Sequence, residues 1–199
     1  AALYAARDRG DDLFRGMLRQ MRRWAIDQSD QGPVYLGYRL GHIKGEGRVF
    51  RALVYNKGAM VLHMLRRLLG DDKFFEGLRQ FYTTWKFRKA GTDDFRRVME
   101  KVSGQDLASF FDGWIYGSAV PEIGFSSTLT STEARIRLEH RGTLIPTPVT
   151  VSILYADGSL EDVIVAVSER VVERTLPLRG RVRPIEANRH YSRGAEIGR

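Results

Sequence analysis

The chain has 199 residues, 43% of them hydrophobic and 28% charged, too apolar for a disordered polypeptide and long enough to bury a core without a staple. It contains no cysteine, which excludes disulfides, thiolate zinc sites, iron–sulfur clusters and a cysteine nucleophile. The net charge of +8 is uneven: residues 1–117 hold 21 basic and 14 acidic side chains, residues 118–199 hold 11 and 10. Acids are interleaved with the basic residues throughout, so the excess reads as an Arg-rich solvated surface and no nucleic-acid partner is expected. No apolar run approaches the ~20 residues of a membrane span. Residue 1 is Ala, which reads as the start of a processed or excised piece.

Along the chain, Leu13, Phe14, Met17, Leu18, Met21, Trp24 and Ala25 recur at spacings of three and four, the stripe of an amphipathic helix. Ser29 to Gly47 contains five glycines and Pro33 and is expected to be a long loop of the kind that carries function. A second helix is predicted from about Val54 to Leu69, closed by Gly70, and a third from Asp71–Asp72 to about Trp85. Thr92 is the expected N-cap of a fourth, with Gly104 after its end; a fifth runs from about Asp106 to near Gly117, and Pro121 discourages continuation.

The period then changes. Residues 135–139, 149–155, 163–167, 171–176 and 181–185 read as strands, with Asp157-Gly158 as a hairpin turn. The predicted fold is α+β: a helical subdomain over residues 1–118, followed by a small antiparallel β-sandwich over residues 119–199, whose tail frays from about Tyr191.

Little in the chain announces chemistry by itself. The four histidines, His42, His63, His140 and His190, form no His-Glu-x-x-His, so no metal site is expected from this chain alone. His42 and Glu46 are four apart, but glycines at 41, 45 and 47 argue against a helix there; His63 reads as a helix-surface or packing residue, and His140 and His190 fall among strands or near the tail. There is no Gly-x-Ser-x-Gly elbow and no P-loop. The carboxylate pairs Asp11/Asp12, Asp71/Asp72 and Asp93/Asp94 stand at helix starts, where the helix dipole accounts for them.

One segment is more specific: Val54-Tyr55-Asn56-Lys57-Gly58-Ala59, continuing through Leu62-His63-Met64-Leu65 to Leu69-Gly70-Asp71. It resembles the motif helix of the gluzincin zinc aminopeptidase family, which includes alanyl aminopeptidases and leukotriene A4 hydrolase. The resemblance continues in order through Phe74-Phe75, Ala90-Gly91-Thr92-Asp93-Asp94-Phe95, Ser103-Gly104-Gln105-Asp106-Leu107 and Phe110-Phe111-Asp112-Gly113-Trp114, up to Pro121. It implies that Tyr55 is catalytic, its phenol donating a hydrogen bond to the oxygen that becomes negative as water adds to a scissile carbonyl. It implies a structural role for Lys57 and close helix packing at Gly58; Asn56 departs from the Glu common in the family. The family's zinc ligands and its substrate-amine segment stand upstream of the tyrosine and are absent here, and Ala1–Ala6 looks like the stretch just after the third ligand.

The resemblance therefore implies the C-terminal part of a zinc metallopeptidase of aminopeptidase type. Zinc is held in the parent, none by this piece; the partners are a peptide substrate and the upstream part of the same catalytic domain; the isolated piece is inactive. The alternative is a non-catalytic metallopeptidase-like scaffold used for protein–protein binding.

Overall fold

Helices occupy the first part of the chain and strands the second, in a computed structural model that describes residues 8–37 and 45–187. The expectations for Ala1–Ala6, for His42 and His190, and for the tail from Tyr191 lie outside these residues.

Helix α1 spans Asp11–Asp27. Leu18 and Ala25 of its apolar stripe are buried, but Leu13 and Trp24 remain 48% and 43% exposed, because the helices packed against α1 cover less than the width of the stripe. A short 3-10 turn, Ser29–Gln31, sits within the segment read as loop. The second helix begins earlier than the pattern suggested. It starts as α2 (Gly47–Phe50), passes through a π turn (Arg51–Lys57) and continues as α3 (Gly58–Leu69). Val49 and Leu53 cluster with Leu36 and supply the burial that extends the helix upstream of Val54.

Gly70 ends α3 and opens α4 (Asp71–Trp85), with φ 79° and ψ 161°, a region essentially reserved for glycine. Helix α5 spans Thr92–Ser103, and its N-cap is Gly91 rather than Thr92: the Asp94 carboxylate reaches back to accept the Gly91 N–H at 2.9 Å, so Thr92 is already inside the helix. The fifth helix is shorter than predicted, α6 (Ala108–Phe111) running into a second π turn, Asp112–Tyr116. The Asp106 carboxylate accepts the Ala108 N–H at 2.8 Å and so serves as a flank instead of a first helical residue.

Six strands form two three-stranded antiparallel sheets: β1 (Ile123–Leu129), β2 (Glu133–His140) and β5 (Val171–Pro177) in the order β1-β2-β5, and β3 (Thr147–Tyr155), β4 (Leu160–Val167) and β6 (Val182–Ala187) in the order β4-β3-β6. Ile136, Leu138, Val149, Val151, Ile153 and Val167 fill the space between them. Strand β1 has no counterpart in the predicted set, because only Ile123 and Phe125 face inward before a run of Ser and Thr on an exposed stretch. Strand β3 alternates polar and apolar, which predicts a half-exposed strand. Thr150 and Ser152 are nevertheless buried: α3 packs on the outer face of β3, where an Arg67 Nη2–H is donated to Thr150 Oγ1 at 3.3 Å, and Ser152 donates to Asp162 Oδ1 at 2.6 Å.

The loop between β2 and β3 ties the two parts together. Ile145 belongs to the helical core with Trp114, Phe110 and Leu107, and the Trp114 indole N–H is donated to the Pro146 carbonyl at 2.9 Å. The helix that carries the family-like motif thus rests at one end on a sheet.

Candidate active-site face

Tyr55 stands in the π turn rather than at a helix start. A π turn adds a residue to each turn, and such turns recur at functional sites. This one divides its side chains sharply: Ala52, Leu53, Asn56 and Lys57 are buried, and Tyr55 is turned out, 62% exposed. The edge of the Phe50 ring meets the Tyr55 ring at 5.9 Å between centroids, which restricts the tyrosine from one side without covering its hydroxyl.

Tyr55 borders an open groove of about 830 Å³ whose walls are Val34–Gly37 on one side and Phe50, Val54 and Leu62 on the other. The lining is mainly hydrocarbon, suited to apolar groups beside one polar tip. The Val34–Gly37 wall is fixed rather than loose. The Tyr35 N–H is donated to the Ile115 carbonyl at 2.9 Å, the Tyr35 ring packs edge-on to Tyr116 at 5.2 Å, and the Tyr116 hydroxyl is donated to Asp93 Oδ1 at 3.1 Å. Burial and the Asp93 carboxylate raise the Tyr116 phenol above its ordinary value, so it remains a neutral donor. None of Phe50, Tyr35 and Tyr116 was singled out from the sequence; the aromatic at 50, five residues before Tyr55, is one signal that was available.

On the other side of the same turn lies a separate cleft of about 430 Å³ lined by Trp24, Asp27, Arg48, Arg51 and Asn56. Asn56, the residue that departs from the family's Glu, therefore belongs to a different surface from Tyr55. Lys57 is buried, its ammonium donating to the Gly117 carbonyl at 3.4 Å, and burial lowers its pKa to about 8.

The remaining candidates are structural. His63 is 8% exposed, packed edge-on against Phe14 at 6.0 Å, and its Nε2 has no hydrogen-bond partner; burial, then the charges of Arg66 and Arg67, lower its pKa to about 4. His140 is buried with Nε2 3.3 Å from the Val167 carbonyl, and burial lowers its pKa as well. Asp71 is held by Arg66 through two contacts of 2.7 and 2.6 Å, and Asp94 by the Gly91 N–H. Among the described residues no three His, Cys, Asp or Glu side chains converge where they could hold a metal ion, so these residues do not fit a zinc site of their own.

Comparison with known proteins identifies the family of the helical part. The sequence pattern of the peptidase family M1 domain matches residues 13–114. Aminopeptidase N of Lactococcus lactis subsp. lactis is 35% identical over 72 residues, 36% of this chain and 8% of that protein. Aminopeptidase A of Gloydius brevicauda is 34% identical over 91 residues, 46% of this chain and 10% of that protein, and glutamyl aminopeptidase of Rattus norvegicus is 31% identical over 93 residues, 47% and 10%. The chain thus spans about a tenth of the length of the curated relatives it matches. Among solved structures, aminopeptidase A of Legionella pneumophila, crystallised with aspartic acid, superposes with a TM-score of 0.66 at 20% identity, covering 76% of this chain and 18% of that one, a likeness of fold. With the family pattern running through half of the chain, from α1 to the second π turn, the protein belongs to peptidase family M1.

Proposed function

We propose that this chain is the C-terminal part of the catalytic unit of a zinc aminopeptidase, together with the β-sandwich that follows it. In this reading residues 1–118 belong to the catalytic domain and residues 119–199 form a separate domain. Zinc and the groups that hold it belong to polypeptide outside this chain; the substrate is a peptide with a free N-terminus.

The contribution of this chain is Tyr55. A neutral phenol, turned out over a groove and restrained by Phe50, offers one O–H to an oxygen that gains charge as a peptide carbonyl goes tetrahedral. Such a donor favours the transition state over the ground state because it acts on charge as it develops. The phenol need not gain or lose its proton. The single observation that carries the reading is the exposure of Tyr55 within a turn whose neighbours on both sides in sequence are buried or half-buried.

The test is Tyr55→Phe in the full-length protein, assayed on an aminoacyl amide with metal content measured alongside. The reading expects kcat to fall about 100–1000-fold with bound zinc unchanged. An unchanged kcat removes Tyr55 from the mechanism, and absence of turnover by the wild-type protein leaves the binding-scaffold alternative. The isolated 199-residue chain is expected neither to hold zinc tightly nor to hydrolyse the amide.

A further inference from the structure

A lysine inside protein is costly, because an ammonium loses its hydration and must recover it from fixed groups. Lys57 is 4% exposed, and the one hydrogen bond of its ammonium among the described residues goes to a main-chain oxygen, that of Gly117, 60 residues away. Lys57 shares the lining of a small cavity with Ala25, Ile26, Met60, Val61 and Trp114, and the one other charged side chain on that lining is Arg22, of like sign. The acceptor it finds is the main-chain oxygen of Gly117, the residue directly after the second π turn, which ends at Tyr116.

The acceptor is closely packed. A Cβ built on Gly117 would stand 2.6 Å from the Gly113 carbonyl oxygen, so the backbone at 117 is packed against the turn before it. Lys57 is also the last residue of the π turn that displays Tyr55. A π turn is less favourable than an α turn, and each residue of helix advances side chains by about 100°, so relaxing the extra residue would swing Tyr55 away from its present direction.

From this geometry we infer that Lys57 is a positioning residue for Tyr55: its bond to Gly117 pins the end of the π turn and so fixes where the phenol points. The inference rests on the proposed role of Tyr55.

The experiment is a double-mutant cycle in the full-length protein with Lys57→Gln, Tyr55→Phe and both together, beside Lys57→Arg, which keeps the cation, and a crystal structure of Lys57→Gln. Lys57→Gln is expected to lower kcat about 10–100-fold, the scale of a small misplacement, with KM little changed. The loss should vanish in the Tyr55→Phe background, Lys57→Arg should recover part of it, and the structure should show Tyr55 re-aimed. An equal loss in both backgrounds, or no loss, overturns the inference while leaving Tyr55 in place. An unchanged kcat in Tyr55→Phe alone overturns the proposed role of Tyr55 and the inference together. If Lys57→Gln and Lys57→Arg both fail to fold, Lys57 serves the fold alone and the inference is likewise overturned.

Discussion

Ile145 lies so close to Gly113 that a Cβ on the glycine would stand 2.3 Å from Ile145 Cγ2. The isoleucine comes from the loop between two strands and the glycine from the π turn after α6, so this contact is a seam between the helical and sheet parts. Gly113→Ala must push Ile145 out of the helical core and is expected to cost about 1–3 kcal/mol, the usual cost of overpacking. Ile145→Ala leaves a cavity instead and should cost about 2–5 kcal/mol. Both are read from urea midpoints, and the Ile145→Ala, Gly113→Ala double variant should be less unstable than the sum, since the added methyl enters the vacated space.

His63 predicts a pH dependence. Its folded pKa is about 4 against an ordinary 6.5, because burial and two arginines oppose the imidazolium. The folded state therefore holds fewer protons than the unfolded one. The stability this contributes is complete above 6.5 and is lost as pH falls through the window from 6.5 to about 4. The loss reaches about 3 kcal/mol at most, from the size of the shift. Denaturation of the wild type and of His63→Leu should diverge in that window, with the wild type losing more; parallel curves would remove His63 as the cause.

Tyr155 closes a small polar cluster at the end of β3. Its hydroxyl is donated to Glu161 Oε2 at 2.8 Å, and the Arg179 guanidinium lies 4.4 Å over its ring. Tyr155→Phe keeps the buried ring and removes one bond to a carboxylate, so about 1–2 kcal/mol should be lost. Arg179→Ala should cost less, about 0.5–1 kcal/mol, because its charge is more than half exposed. Thermal unfolding of the two single variants and the pair would show coupling between them.

Two glycines separate two kinds of backbone demand. Gly104 sits at φ 71° and ψ 13°, the left-handed region that asparagine tolerates, and Gly104→Asn should stay within about 1 kcal/mol of the wild type. Gly70, at φ 79° and ψ 161°, occupies ground that no side-chain-bearing residue adopts readily, and Gly70→Ala should cost about 1–3 kcal/mol. Comparable losses at both positions would contradict the distinction.

Helix positions were largely legible in the sequence because their apolar residues repeat at three and four residues: Leu65 and Leu69, or Phe74 and Leu78, need no tertiary information, although Leu62 in the same pattern is 42% exposed on the groove wall. Boundaries were less so. The start of α2 is decided by Leu36, a loop residue that no local pattern links to Val49 and Leu53. The burial of Thr150 and Ser152 depends on α3 covering β3. The motif around Tyr55 was legible, but the π turn that turns this side chain outward was not, since an extra residue per turn leaves no mark on composition. The Phe50 contact and the Gly117 anchor of Lys57 required the folded chain.

Strand β6 pairs with β3, not with its sequence neighbour β5, so the sheet beneath α3 is finished by the last strand described. As the polypeptide leaves the ribosome, the support under the motif helix stays one strand short until residues 182–187 have emerged. A ribosome stalled before that point would display β3 with an open edge, ready to take up whatever strand is nearby.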